Sequence, residues 1–400
     1  MFRKLGQKPI VALLVCFASY CALYVSRSTI SVFATALNEQ GILTVAQYGI
    51  VGSLFFIVYA GGRMLNGYLS DIFDSKTMIC TGVFLAGLSN LAIGLIRTAP
   101  VIFTFWCINA IGQSMVWSAI LVLIVDKAEQ SKKDLYISML GSSVAFGTVL
   151  GIVIASRSYA IGGLKTGFVI PGIIGVAMAL IALVLLPSVK NVRKEGTKAP
   201  FRLASAVKRK YLRLFLPIMV NGVMKDGINL WFVAYVITKF GIDVSSVAGY
   251  VFMVPFLGLV GRVLFTSFYR LLGKNEFSTA MVDYAISALV AIPLCLGTSS
   301  LVLTIVCFAI MFAFVSMANL SFVGMLPVKN ADPGRIGLVS GSIDLLIYMG
   351  SGISSAVFGF VVSTYGYGIM FDIWFVLLVL SVVALGFYRP QKSKIAFVEG

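Results

Sequence analysis

The chain has 400 residues, of which 59% are hydrophobic and only 12% charged, and its mean hydropathy is +1.00. That composition lies outside the range of soluble domains and implies a chain whose surroundings are largely lipid. The 31 lysines and arginines against 15 acids give a net charge of +16, and there is no histidine. Ser/His/Asp and Cys/His catalysis and any histidine proton relay are therefore excluded.

A helix needs about 20 apolar residues to cross hydrocarbon. Twelve segments qualify: 9–36, 45–70, 77–96, 101–125, 135–155 and 168–187, then 214–237, 247–268, 277–297, 301–323, 337–362 and 367–388. The first carries a charge and lacks a small-residue cleavage pattern, so it reads as a retained span and not as a signal peptide. Residues 188–213 form a linker holding nine basic residues and one acid, Glu195. It separates a bundle of six spans (1–187) from another (214–400). Connections such as Arg97–Pro100 and Thr298–Ser300 are too short for an extramembrane domain, so function has to be built from helices and their ends.

With the N-terminus inside, 23 of the 31 lysines and arginines fall on the inner side, 4 outside and 4 within spans. This is the positive-inside asymmetry of a polytopic membrane chain. The basic excess thus sets topology and meets anionic headgroups, and no nucleic-acid partner is implied. The predicted class is an all-α membrane protein of two pseudo-symmetric six-helix bundles, both termini cytoplasmic, expected to act as a monomer in the plasma or inner membrane. The six cysteines fall in or at the ends of spans without metal-ligand spacing, so no metal or cofactor is expected. Glycines at helical spacing, Gly147–Gly151 and Gly258–Gly261, read as helix-packing surfaces.

The four cations inside spans are duplicated. Arg27 and Lys225 lie 198 residues apart, and Arg63 and Arg262 lie 199 apart, one span further on in each half. Intramembrane cations are costly and default to a functional reading. Repetition of about 200 residues points to bundles related by an axis along the membrane normal, with the substrate bound near the midplane. An anion site fits such a set, and ion pairing with intramembrane acids or snorkelling is the alternative for each residue alone. Tyr20, Tyr24 and Arg27, at i, i+4 and i+7, share one helix face, where phenols beside a guanidinium suit phosphate oxygens. An aromatic belt or core packing is the competing role for the tyrosines, Tyr348 above all.

Four aspartates also lie in spans. Asp226 points about 100° away from Lys225 around the helix, so it is expected to pair with a cation on another span. Asp344 is the best candidate partner for one of the site cations. Asp283, near the end of its span, is expected to reach water, and Asp372 is the fourth. Charge compensation is preferred for Asp226 and Asp344, and proton carriage is the alternative.

The second span ends Gly67-Tyr-Leu-Ser-Asp71-Ile-Phe-Asp-Ser-Lys76. This resembles the G-x-L-x-D-x-x-x-x-[R/K] signature of the major facilitator superfamily. Gly67 would permit close helix contact, while Asp71 would sit at a neighbouring helix N-terminus and latch one conformation by charge-assisted bonds. In the second half Thr266 and Arg270 stand where Gly and Asp would be, so a gate of this kind is asymmetric. Within that superfamily the chain resembles the organophosphate:phosphate antiporters. The resemblance rests on Tyr20-Cys-Ala-Leu-Tyr24-Val-Ser-Arg27, Tyr59-Ala-Gly-Gly-Arg63, Gln113-Ser-Met-Val-Trp117 and Lys225-Asp226-Gly227-Ile228.

That resemblance implies that Arg27 and Lys225 grip phosphate, one from each half, that Tyr20, Tyr24, Tyr59 and Tyr348 surround the site, and that Arg63 is an auxiliary cation. The chain departs from the family's glycerol-3-phosphate carriers at three places. Lysine replaces the second arginine, a point charge for a bidentate fork; Val144 replaces a site histidine; Arg262 is an added cation. The expected function is transport of a small phosphorylated organic anion in exchange for inorganic phosphate. Two cations about 10 Å apart repel by roughly 1–2 kcal/mol at an effective dielectric near 20. An anion between them reverses the sign, so loaded carriers reorient more readily than empty ones. The rivals are a proton-coupled carrier of carboxylates and a membrane sensor of sugar phosphates. No catalytic constellation supports an enzyme.

Overall fold

The computed structural model describes residues 9–189, 214–241, 253–331 and 335–387. Most of the linker and both chain ends lie outside these residues, as does the start of the eighth predicted span. Among the described residues the regular structure is helical throughout. The helices are α1 (Pro9–Val32), α2 (Ala34–Glu39), α3 (Val45–Ser70), α4 (Ser75–Ile96), α5 (Ala99–Lys127), α6 (Lys133–Leu185), α7 (Phe215–Phe240), α8 (Met253–Leu271), α9 (Glu276–Cys295), α10 (Leu301–Leu320), α11 (Leu326–Asn330) and α12 (Ile336–Gly386). A π-helical turn, Ser321–Met325, joins α10 to α11.

Two helices are far longer than a bilayer requires. The 53-residue α6 breaks at Gly162 and Gly163, where Gly163 takes φ 68° and ψ −152°. α12 breaks at Gly366, at φ 80°. Left-handed backbone of this kind is accessible to glycine at no steric cost, so each helix becomes two crossings. Among the described residues nine helical segments are long and apolar enough to span. Counting α6 twice and adding α7 and α8 gives the twelve crossings predicted, in the twelve-helix architecture expected. The predicted first span is shorter than expected, since the helix is interrupted at Phe33 before α2.

Side-chain caps fix several starts. Thr44 and Gln47 form a reciprocal capping box at α3, Asp74 caps α4, Asn275 caps α9 and Ser300 caps α10. Each satisfies backbone N–H groups left without an intrahelical acceptor. Within the spans, hydroxyls bond back along their own helix: Ser28 to the Tyr24 carbonyl, Thr148 to Val144 and Ser342 to Leu338. With no water in hydrocarbon, polar groups have to be satisfied this way or across helices.

The chain folds as two compact units. The first comprises Met1–Arg202 with Pro333–Leu345, and the second Leu203–Asp332 with Leu346–Gly400. The described residues 335–345, which the sequence division places in the second half, thus pack with the first unit. In the first unit, Thr29 donates to Asn90 Oδ1 while Asn90 donates to the Ser26 carbonyl, tying α1 to α4. Glycines set the closest approaches: a Cβ at Gly147 would lie 2.8 Å from Cys21, and one at Gly151 2.9 Å from Val25. The pair was expected to form a helix-packing surface, and α1 is the helix it meets. In the second unit Asn221 donates to the Val315 carbonyl, Asn319 to Asn221, and the Tyr284 hydroxyl to the Pro217 carbonyl. A Cβ at Gly258 would meet the Phe312 ring at 2.4 Å, and one at Gly222 would meet the Ile347 carbonyl oxygen at 1.8 Å.

Backbone oxygen cannot yield as a side chain would. Gly222→Ala is therefore expected to lower stability by about 1–3 kcal/mol, the cost of overpacking. Gly359→Ala, which meets nothing within 4 Å, is the control. Thermal unfolding of the two purified variants measures the difference.

Candidate functional site

In the first unit Arg27 of α1 meets the aromatic residues of α3. The Arg27 guanidinium lies over four rings, 4.9 Å from the centroid of Phe55, 5.3 Å from Tyr59, 5.5 Å from Phe56 and 5.7 Å from Tyr24. Phe55 and Phe56 each lie about one helical turn before Tyr59 on α3, at i+4 and i+3 spacing, so the three rings bracket a single cation. Each ring face stabilises a cation by about 0.5–2 kcal/mol, more when desolvated. Tyr24 and Tyr59 carry hydroxyls as well as π faces. Tyr20 is buried against Tyr24 and Trp117, at 5.5 and 5.1 Å between ring centroids. The structure thus gathers Arg27, Tyr20, Tyr24, Tyr59 and Trp117 in one cluster. Gln113, four residues before Trp117 on α5, is buried and donates to Asn109.

Arg63 extends the cluster. Its guanidinium lies 5.6 Å from the centroid of the Tyr59 ring, which also contacts Arg27. It forms a buried ion pair with Asp344 on α12. The two duplicated cations of this half therefore stand in different environments, Arg27 half-buried on aromatic faces and Arg63 fully buried on a carboxylate.

The segment around Gly67 is built for close contact. A Cβ at Gly67 would come 2.4 Å from the Gly337 carbonyl oxygen, and one at Gly341 2.2 Å from that of Arg63. Asp71, buried at the end of α3, accepts the Gly337 and Leu338 N–H groups at 2.8 Å each. A carboxylate there satisfies two of the four N–H groups that a helix start leaves open and meets the positive end of its dipole. Lys76, the last residue of the motif, is in the first turn of α4. In the second unit Thr266 is buried and Arg270 is exposed at the end of α8.

In the second unit Lys225 on α7 lies 5.2 Å from the centroid of the Tyr348 ring. Asp226 Oδ1 is 3.7 Å from Lys225 Nζ. This corrects the expectation that Asp226 would pair with another span: the four-carbon lysine stem reaches around the helix to its neighbour. Arg262, on α8, is buried. Asp283 is fully buried as well, which corrects the expectation that it reaches water. Its helix begins well below that residue, at Glu276. Asp372 is exposed. No group of metal-ligating side chains occurs among the described residues. Phe55 and Phe56 are the site residues that sequence reading missed. Their spacing of four and three residues before Tyr59 was the available signal.

Comparison with known proteins identifies relatives of the chain as a whole. A "Probable hexose phosphate transport protein" from Chlamydia muridarum is 22% identical over 408 residues, covering 94% of this chain and 89% of its own. The "Membrane sensor protein UhpC" of Salmonella typhimurium is 19% identical, over 86% of this chain and 83% of its own. Among solved structures, the proton:xylose symporter XylE shares the fold with a TM-score of 0.79 at 14% identity, over 96% and 97% of the two chains. The family model for the Major Facilitator Superfamily matches residues 13–355. Twelve crossings, the Gly67–Lys76 motif and this match over most of the length agree: the chain is a multi-pass membrane protein that belongs to the Major Facilitator Superfamily.

Proposed function

We propose that the chain carries a small phosphorylated organic anion across the plasma or inner membrane in exchange for inorganic phosphate, by alternating access. Arg27 and Lys225 are the phosphate-binding cations in this reading. Tyr20, Tyr24, Tyr59 and Tyr348 are its hydrogen-bonding aromatics, and Gln113 and Trp117 support them from α5. The observation that carries the proposal is the environment of Arg27. An intramembrane guanidinium held on four ring faces, with two phenol groups beside it, suits an oxyanion better than a neutral sugar. The name of the Chlamydia muridarum relative, a hexose phosphate transport protein, supports the same class. Asp344 and Asp226 compensate charge beside Arg63 and Lys225, and Arg262 is a further cation of the second unit. Asp71 and Gly67 form the gate.

The likeness to a membrane sensor favours one second reading, in which the same site binds a sugar phosphate with little flux. Proteoliposomes separate the two. Phosphate-loaded vesicles are expected to take up labelled glucose 6-phosphate faster than vesicles loaded with chloride, with no loss when a protonophore is added. Binding without trans-stimulation would point to the sensor. Uptake abolished by the protonophore would replace exchange with proton coupling.

A further inference from the structure

Away from these cations, three helix ends of the first unit meet around a cavity of about 680 Å³ lined by Lys76, Lys127 and the segment from Val184 to Ser188. Lys76 is in the first turn of α4, where a cation is disfavoured by the helix dipole. It forms no ion pair among the described residues. Lys127 is the last residue of α5 and lies 2.9 Å from Asp126, its neighbour in sequence. The nearby acid Asp74 is committed to capping: its carboxylate accepts the Thr77 and Val189 N–H groups and the Ser188 hydroxyl. Beside this polar cavity α6 presents Leu180, Ile181, Leu183 and Val184, between 47% and 56% exposed.

We propose that this cavity holds the headgroup of an anionic phospholipid, its phosphate against Lys76 and Lys127 and an acyl chain along the exposed α6 face. Lysines at the membrane surface attract anionic headgroups, and their stems lie along apolar surface while the ammonium reaches the polar layer. A free phosphorylated metabolite matches the lysines and leaves the apolar strip bare. The rest of the chain's own basic linker, which follows Val189, carries the same sign of charge as the cavity. By the charge asymmetry of the sequence, this face meets the inner leaflet.

Native mass spectrometry of the full-length protein, incubated with equal amounts of phosphatidylglycerol and phosphatidylcholine of the same chains, tests the proposal. The wild type is expected to retain phosphatidylglycerol preferentially. K76Q and K127Q should each lower that preference by about five-fold, the effect of one surface lysine, and K132Q should leave it unchanged. Inorganic phosphate should not displace the lipid. Equal retention of the two lipids by the wild type, a measurement that needs no variant, would overturn the proposal. So would an unaltered preference in folded K76Q and K127Q, and displacement by inorganic phosphate would make the cavity a free-phosphate site instead.

Discussion

Arg27→Ala and Lys225→Ala are each expected to abolish exchange in phosphate-loaded proteoliposomes. A phosphate ester carries close to two negative charges, and drawing it out of water is tolerable only if cations and donors replace the hydration. Removing one charged partner from such a buried contact costs about 2–5 kcal/mol, enough to lower affinity some thirty-fold to several thousand-fold. The conservative exchanges should be unequal. Arg27→Lys replaces a planar five-donor group that lies over four rings with a point charge on a shorter stem, and so is expected to impair transport severely. Lys225→Arg keeps the charge beside Tyr348 and Asp226 and adds a fork, so it is expected to retain much of the activity. Initial rates of counterflow, with each variant's yield in the vesicles measured, give both comparisons.

Asp344→Ala is expected to destabilise the protein by about 3–5 kcal/mol, since it strands the buried Arg63 guanidinium without its carboxylate. The cost lies in the uncompensated charge and much less in the lost attraction. Arg63→Met combined with Asp344→Leu, which removes both charges and keeps apolar volume, should therefore recover most of that loss. The recovery would appear as non-additivity in the unfolding midpoints of the two single variants and the double variant. Additive losses would mean that the two residues contribute separately and that the pair is not the unit of stability. Arg63 and Asp344 lie 281 positions apart in sequence, and this contact closes α3 onto the start of α12 beside the Asp71 cap.

The spans were legible because hydrocarbon imposes a length and an apolar composition that no packing detail alters. Residues 45–70 were expected to form a span, and α3 runs Val45–Ser70. Local backbone conformation was less legible: Phe33 interrupts the first span without a proline or glycine to mark it. The Gly67–Asp71 motif was legible as chemistry, a glycine for approach and a carboxylate for a helix start, and the structure supplies Gly337 and Leu338 as the groups it meets. The charge partners were legible only in part. Asp344 stood out as a buried acid in need of a cation, yet nothing in the sequence selects Arg63 among four. Asp226 misled because helical phase fixes where a Cα–Cβ bond points and does not fix where a long lysine ends. Asp283 misled because distance from a helix end measures depth, whereas burial depends on the neighbouring helices.

In the proposed function Arg27 and Lys225 bind phosphate. Titration calorimetry of the purified protein with glucose 6-phosphate, inorganic phosphate and glucose tests it most directly. The wild type is expected to bind the two phosphates and not the neutral sugar, and Arg27→Ala and Lys225→Ala are expected to lose both phosphates while remaining folded. Wild-type affinity for glucose 6-phosphate in folded Arg27→Ala and Lys225→Ala would leave both cations with structural roles alone and rule out a phosphate site built on them.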